Sequence, residues 1–99
     1  MINEYALVTG ASSGIGLEIS KCLALRGYSL ILVSRRKQKL DEIRNDLTNQ
    51  FKVKVDIIAA DLEDMKTPEL IYNYCKGKGY FVNLLVNNAG YAPVSYTHL

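Results

Sequence analysis

The chain of 99 residues is poor in the residues that build metal sites and disulfide frameworks: it has two cysteines and one histidine. Cys22 and Cys75 are far apart, no C-x-x-C spacing occurs, and His98 stands alone near the end. No metal site or disulfide is therefore indicated, and two buried thiols in a reducing cytoplasm are expected. Charge bias is nearly absent as well, because 12 basic and 10 acidic residues are interspersed to leave a net +2. So small an excess argues for neither nucleic acid nor membrane as a partner. No apolar run approaches the roughly 20 residues that span a bilayer. Met1-Ile2-Asn3-Glu4 also lacks the basic region and apolar segment of a signal peptide. Internal repeats and low-complexity linkers are missing too. A cytoplasmic location and one globular domain, or part of one, are expected.

What is present is an alternation of short apolar runs with segments of helical period. Ala6-Leu7-Val8, Leu30 to Val33, Val55 to Ala59 and Leu84-Leu85-Val86 are short and branched, as strands covered on both faces should be. Between the first two, Ile15, Ile19 and Leu23 recur every four residues, and Gly27 ends the pattern. Leu40, Ile43 and Leu47 mark the next helix. A third is expected to start with Thr67 as N-cap and Pro68 at the first helical position, to carry Leu70, Ile71 and Tyr74 inward, and to stop at Gly77-Lys78-Gly79. Strand, helix, strand, helix, strand, helix, strand predicts an α/β fold. It should be a Rossmann-like doubly wound parallel sheet, incomplete, with about four strands in the order 3-2-1-4 and three helices.

The turn after the first strand reads LVTGASSGIG, residues 7 to 16. A helix that follows a parallel strand offers unpaired N–H groups and the positive end of its dipole, which suits a phosphate. Gly10 permits the tight turn, Gly14 allows close approach of a diphosphate, and Gly16 lets the helix pack near the strand. Ser12 and Ser13 add hydroxyl donors.

The spacing Gly-x-x-x-Gly-x-Gly differs from the Gly-x-Gly-x-x-Gly of most dinucleotide folds. TGASSGIG at 9 to 16, which includes Ile15, the pair Asp61-Leu62, and NNAG at 87 to 90 together resemble the short-chain dehydrogenase/reductase (SDR) family. The resemblance covers residues 5 to 93. It implies that the glycine turn holds the diphosphate of a nicotinamide dinucleotide. It further implies that Asp61 binds the adenine amino group, and that Asn88, Ala89 and Gly90 line the ribose and adenine side. Activity is then expected to be an oxidoreductase's, passing hydride between nicotinamide and a carbonyl or alcohol substrate. The complete protein would be a homo-oligomer, with no nucleic acid or membrane partner.

The end of the second strand bears on the cofactor. A dinucleotide fold places an acid there for the ribose hydroxyls of NAD, or basic residues for the 2′-phosphate of NADP. Here the residues are VSRR: Ser34 cannot serve as the carboxylate, while Arg35 and Arg36 would stand beside the phosphate. NADP(H) is favoured over NAD(H). The same basic pair counts against an S-adenosylmethionine methyltransferase, whose similar turn usually comes with an acid at this place. A non-catalytic NADP(H)-binding sensor or regulatory module is the alternative function.

In the SDR family the catalytic Tyr-x-x-x-Lys, its serine and an assisting asparagine follow the NNAG segment, so no catalytic residue is expected in this chain. Tyr72 and Lys76 match the spacing but precede the fourth strand, and a surface helix is their expected place. Residues 1 to 93 read as the N-terminal part of one dinucleotide-binding domain. Residues 94 to 99, VSYTHL, have no hydrophobic period and match one reading frame of a common transposon-end sequencing adapter. They are expected to be a non-native tail. The fourth strand would then be an exposed edge, and the isolated chain poorly folded.

Overall fold

The computed structural model describes residues 4–12 and 14–87, and the backbone of 95–97. Strand β1 (Glu4–Thr9) leads through the glycine turn into helix α1 (Gly14–Leu25). Strand β2 (Ser29–Ser34), helix α2 (Lys37–Phe51), strand β3 (Val55–Ala59), helix α3 (Thr67–Lys78) and strand β4 (Phe81–Asn87) follow, and β5 (Ser95–Thr97) comes last. The sheet runs β3-β2-β1-β4-β5, with the first four strands parallel. The expected order 3-2-1-4 is therefore the order observed.

Alternation along each strand sends side chains to two apolar layers. Ala6, Val8, Leu30 and Leu32 face one side and pack against Leu23 and Ala24 of α1 and Leu40, Ile43 and Leu47 of α2. Tyr5, Leu7, Ile31, Val33 and Ile58 face the other, where Cys75, Ile71 and Tyr74 of α3 cover them. Leu30, Ile31, Leu32 and Val33 are fully buried, which is why β2 reads as an unbroken apolar run.

Helix ends follow local chemistry. Gly27 (φ 90°) and Gly79 (φ 71°) take the left-handed conformation just past α1 and α3. After each, a backbone N–H closes on the last turn: Tyr28 on the Leu23 carbonyl at 3.1 Å, and Tyr80 on that of Cys75 at 3.0 Å. Helix α2 ends the same way without a glycine, at Lys52 with φ 59°.

Five expectations are corrected. Ile15 is 64% exposed, because the buried stripe of α1 is Gly16, Ser20, Leu23 and Ala24, and Ile15 lies on the opposite flank of the first turn. Leu70 is 51% exposed, being displaced to the side of a stripe formed by Thr67, Ile71, Tyr74 and Cys75. Cys22 is exposed, and only Cys75 is buried. Thr67 is not the N-cap but the first helical residue, behind Lys66, and its hydroxyl donates to the Asp61 carbonyl. Strand β4 is not a bare edge, since Leu85, Val86 and Asn87 pair antiparallel with Thr97, Tyr96 and Ser95. That short β5 falls inside the 94–99 segment; an open edge offers backbone N–H and C=O groups that any extended stretch can satisfy.

Candidate dinucleotide site

The carboxyl ends of β1, β2 and β3 come together at one side of the sheet. Gly10 leaves β1 with φ 62°, a left-handed conformation that costs a side-chain-bearing residue about 1–2 kcal/mol. The turn then folds toward β2: the Ala11 N–H donates to the Val33 carbonyl at 3.3 Å, and Ala11 is fully buried. Helix α1 begins at Gly14, where an added Cβ would meet no atom within 4 Å. Open space beside a helix N-terminus is what a diphosphate needs. Gly16 is buried on the sheet side of α1, and its carbonyl accepts the Ser20 hydroxyl at 2.8 Å. Ile15 stands exposed on the same first turn. Ser13, Asn88, Ala89 and Gly90, the other residues expected in this site, lie outside the described residues.

Ser34 joins the elements. Its Oγ lies 2.7 Å from Ser12 Oγ and accepts the Arg36 N–H at 3.2 Å, while its carbonyl accepts the Ala60 N–H at 3.0 Å. The glycine turn, the end of β2 and the exit of β3 are thereby tied at one residue. Arg35 and Arg36 follow directly, both exposed, and residues 33 to 36 include no carboxylate. Lys37, one residue further, is held by Asp41 at 3.1 Å. Arg35 and Arg36 thus stand exposed beside the glycine turn's link to β2.

Asp61 and Leu62 follow β3. The Asp61 carboxylate is exposed and accepts the Glu63 N–H at 2.9 Å, which shapes the loop into α3, and Leu62 is half-buried against the α3 layer. Across the sheet, Thr9 Oγ1 donates to Asn87 Oδ1 at 3.1 Å, fixing the first asparagine of NNAG to the end of β1. Thr9, read in the sequence only as part of TGASSGIG, and Ser34, read only as a residue that is no carboxylate, tie neighbouring elements through these bonds. Their signal was a hydroxyl at the last position of two successive apolar strands.

Tyr72 and Lys76 sit on the solvent side of α3, the ammonium 5.9 Å from the ring centroid and the ring 63% exposed. Among the described residues, no group of three or more His, Cys, Asp or Glu could hold a metal ion, and no helix is long and apolar enough to cross a membrane.

The fold of this chain is shared with known proteins. The sequence profile of the short chain dehydrogenase family matches residues 4–98. The chain belongs to the short chain dehydrogenase family.

Among curated relatives of this short chain dehydrogenase chain, the very-long-chain 3-oxoacyl-CoA reductase of Pyrenophora tritici-repentis is 39% identical over 98 residues, covering 94% of this chain and 29% of the relative. The Bos taurus protein of the same name is 38% identical over 91 residues, covering 90% and 28%. The chain thus spans about three-tenths of the length of these relatives. Among solved structures, L-sorbose reductase of Gluconobacter frateurii, complexed with NADPH and L-sorbose, superposes with a TM-score of 0.84 at 31% identity, over 94% of this chain and 35% of that one. A short-chain dehydrogenase of Sphingobium yanoikuyae in complex with NADPH gives 0.80 at 35% identity, over 90% and 34%.

Proposed function

We propose that this chain is the N-terminal, cofactor-binding part of an NADP(H)-dependent oxidoreductase that reduces a carbonyl or oxidises the corresponding alcohol. The observation that carries the reading is the corner at Ser34: the glycine turn and the Arg35–Arg36 pair are linked there, with no carboxylate among residues 33 to 36 at the end of β2. The residues fit the cofactor. Gly10, Ser12, Ser13, Gly14, Ile15 and Gly16 would surround the diphosphate at the N-terminus of α1, and Arg35 and Arg36 would pair with the 2′-phosphate. Asp61, Leu62, Asn88, Ala89 and Gly90 would take the adenine and ribose side. When bound, the nicotinamide supplies or receives hydride.

The names of the relatives point to 3-oxoacyl thioesters as the first carbonyl class to assay. Solved neighbours that carry NADPH support the cofactor choice, and the family supports a homo-oligomer. The test is NADPH oxidation by the complete protein with a 3-oxoacyl thioester and with simple ketones. Turnover with NADPH well above that with NADH supports the reading, whereas NADPH binding without turnover on any carbonyl would make the protein a sensor.

A further inference from the structure

We propose that Ser34 is a positioning residue of the cofactor site, holding Ser12 and the start of α2 in one frame before the cofactor arrives. The inference rests on the NADP(H) reading above. Ser34 is only 8% exposed, so its hydroxyl has little water to bond with and depends on protein partners. It has two: Ser12 Oγ at 2.7 Å, and the Arg36 N–H at 3.2 Å. The hydroxyl owns one hydrogen and two lone pairs. One lone pair takes the Arg36 N–H, and the bond to Ser12 uses either the Ser34 hydrogen or its second lone pair, since either hydroxyl can donate. In the arrangement where Ser34 donates, the Ser12 hydrogen is left for an anion at the glycine turn.

The second bond matters as much. Arg36 is the N-cap of α2, and its side chain makes no capping bond. The Ser34 hydroxyl therefore fixes the backbone from which the Arg36 guanidinium extends. One buried oxygen sets both the hydroxyl of the glycine turn and the base of the arginine, two residues that lie 22 and 2 positions away from it. Preorganisation of this kind raises affinity by lowering the cost of ordering the site on binding.

The experiment measures the dissociation constants of NADPH and NADH by calorimetry on the complete protein, for the wild type, S34A, S34T and S12A, S12A/S34A. S34A is expected to weaken NADPH about tenfold, through both Ser12 and Arg36, and NADH about threefold, through Ser12 alone, the size of one or two lost hydrogen bonds. S34T keeps the hydroxyl and is expected to restore NADPH to within about threefold of wild type. Because both serines act through one link, S12A/S34A should lose clearly less than the product of the single losses. Unchanged NADPH binding in S34A, or equal weakening of both cofactors, overturns the positioning role. A wild type that binds NADH as tightly as NADPH brings down the cofactor reading itself, and the inference with it.

Discussion

The hydroxyl of Tyr74 on α3 donates to the carboxylate of Asp56 on β3 at 2.6 Å. The same carboxylate oxygen accepts the Tyr80 hydroxyl at 2.9 Å, and the Tyr80 ring stacks on Tyr5 with centroids 4.0 Å apart. Strand β3 is an edge of the sheet, and Asp56 turns its charge inward there, under α3. An inward charge on an edge strand discourages pairing with another chain, and the two phenols make the burial tolerable. Removing Asp56 strands two hydroxyls at once. Asp56→Ala is expected to cost about 2–3 kcal/mol of unfolding free energy and Tyr74→Phe about 1–2, read by urea denaturation of the complete protein. Equal, near-zero losses for both would show the cluster to be solvated.

The same cluster sets an alkaline limit. Burial, then the hydrogen bond to Asp56, push Tyr74 up to about 12 from 10.0, while burial, then hydrogen bonding with Tyr5 and with Asp56, raises Tyr80. The folded state therefore holds these protons more tightly than the unfolded chain. Stability from the cluster is fully present below pH 10 and is lost as pH rises toward 12 and beyond. Denaturation midpoints measured from pH 9 to 12 should fall, and Tyr74→Phe should flatten part of that fall. An identical slope in the variant would remove Tyr74 from the explanation.

The glycines of the turn should separate stability from binding. Gly10 is left-handed, so Gly10→Ala is expected to destabilise by about 1–2 kcal/mol. Gly14 opens α1 with no atom within 4 Å of an added Cβ, so Gly14→Ala should leave the melting temperature unchanged or slightly raised. Its methyl would occupy the space proposed for the diphosphate, and NADPH should bind at least about tenfold more weakly. Intact NADPH binding in Gly14→Ala would place the diphosphate elsewhere.

The corrected helix faces give a paired test. Leu47 is 1% exposed in the layer between α2 and the sheet, whereas Leu70 is 51% exposed. Leu47→Ala should cost about 2–5 kcal/mol through the cavity it leaves. Leu70→Ala should cost less than about 1 kcal/mol. A large loss at Leu70 in the complete protein would mean that a further part of the molecule packs on that flank.

Strands β1 and β2 were legible because burial on both faces makes them short apolar runs, β3 and β4 because they keep branched residues although half-buried, and the parallel order follows from the helices between them. The stripe of α1 was misread because its inner residues include Gly16 and Ser20, which carry no hydrophobic signal yet let the helix sit close to the sheet. Lys52 caps α2 in a conformation that composition assigns to glycine. The Asp56 cluster joins residues 18 and 24 apart, and Ser12 meets Ser34 across 22, separations at which no local period operates. Within the site, the glycines and the arginine pair announce themselves by motif. Ser34 does not, since a serine at a strand end gains meaning only from what the fold brings to it.

The most direct measurement is the affinity of the complete protein for NADPH and NADH, with and without the double substitution R35A/R36A. A wild type that prefers NADPH, and a variant that loses about 2–4 kcal/mol of NADPH binding with NADH nearly unchanged, is the expected result. Equal losses for the two cofactors would contradict the assignment of Arg35 and Arg36 to the 2′-phosphate.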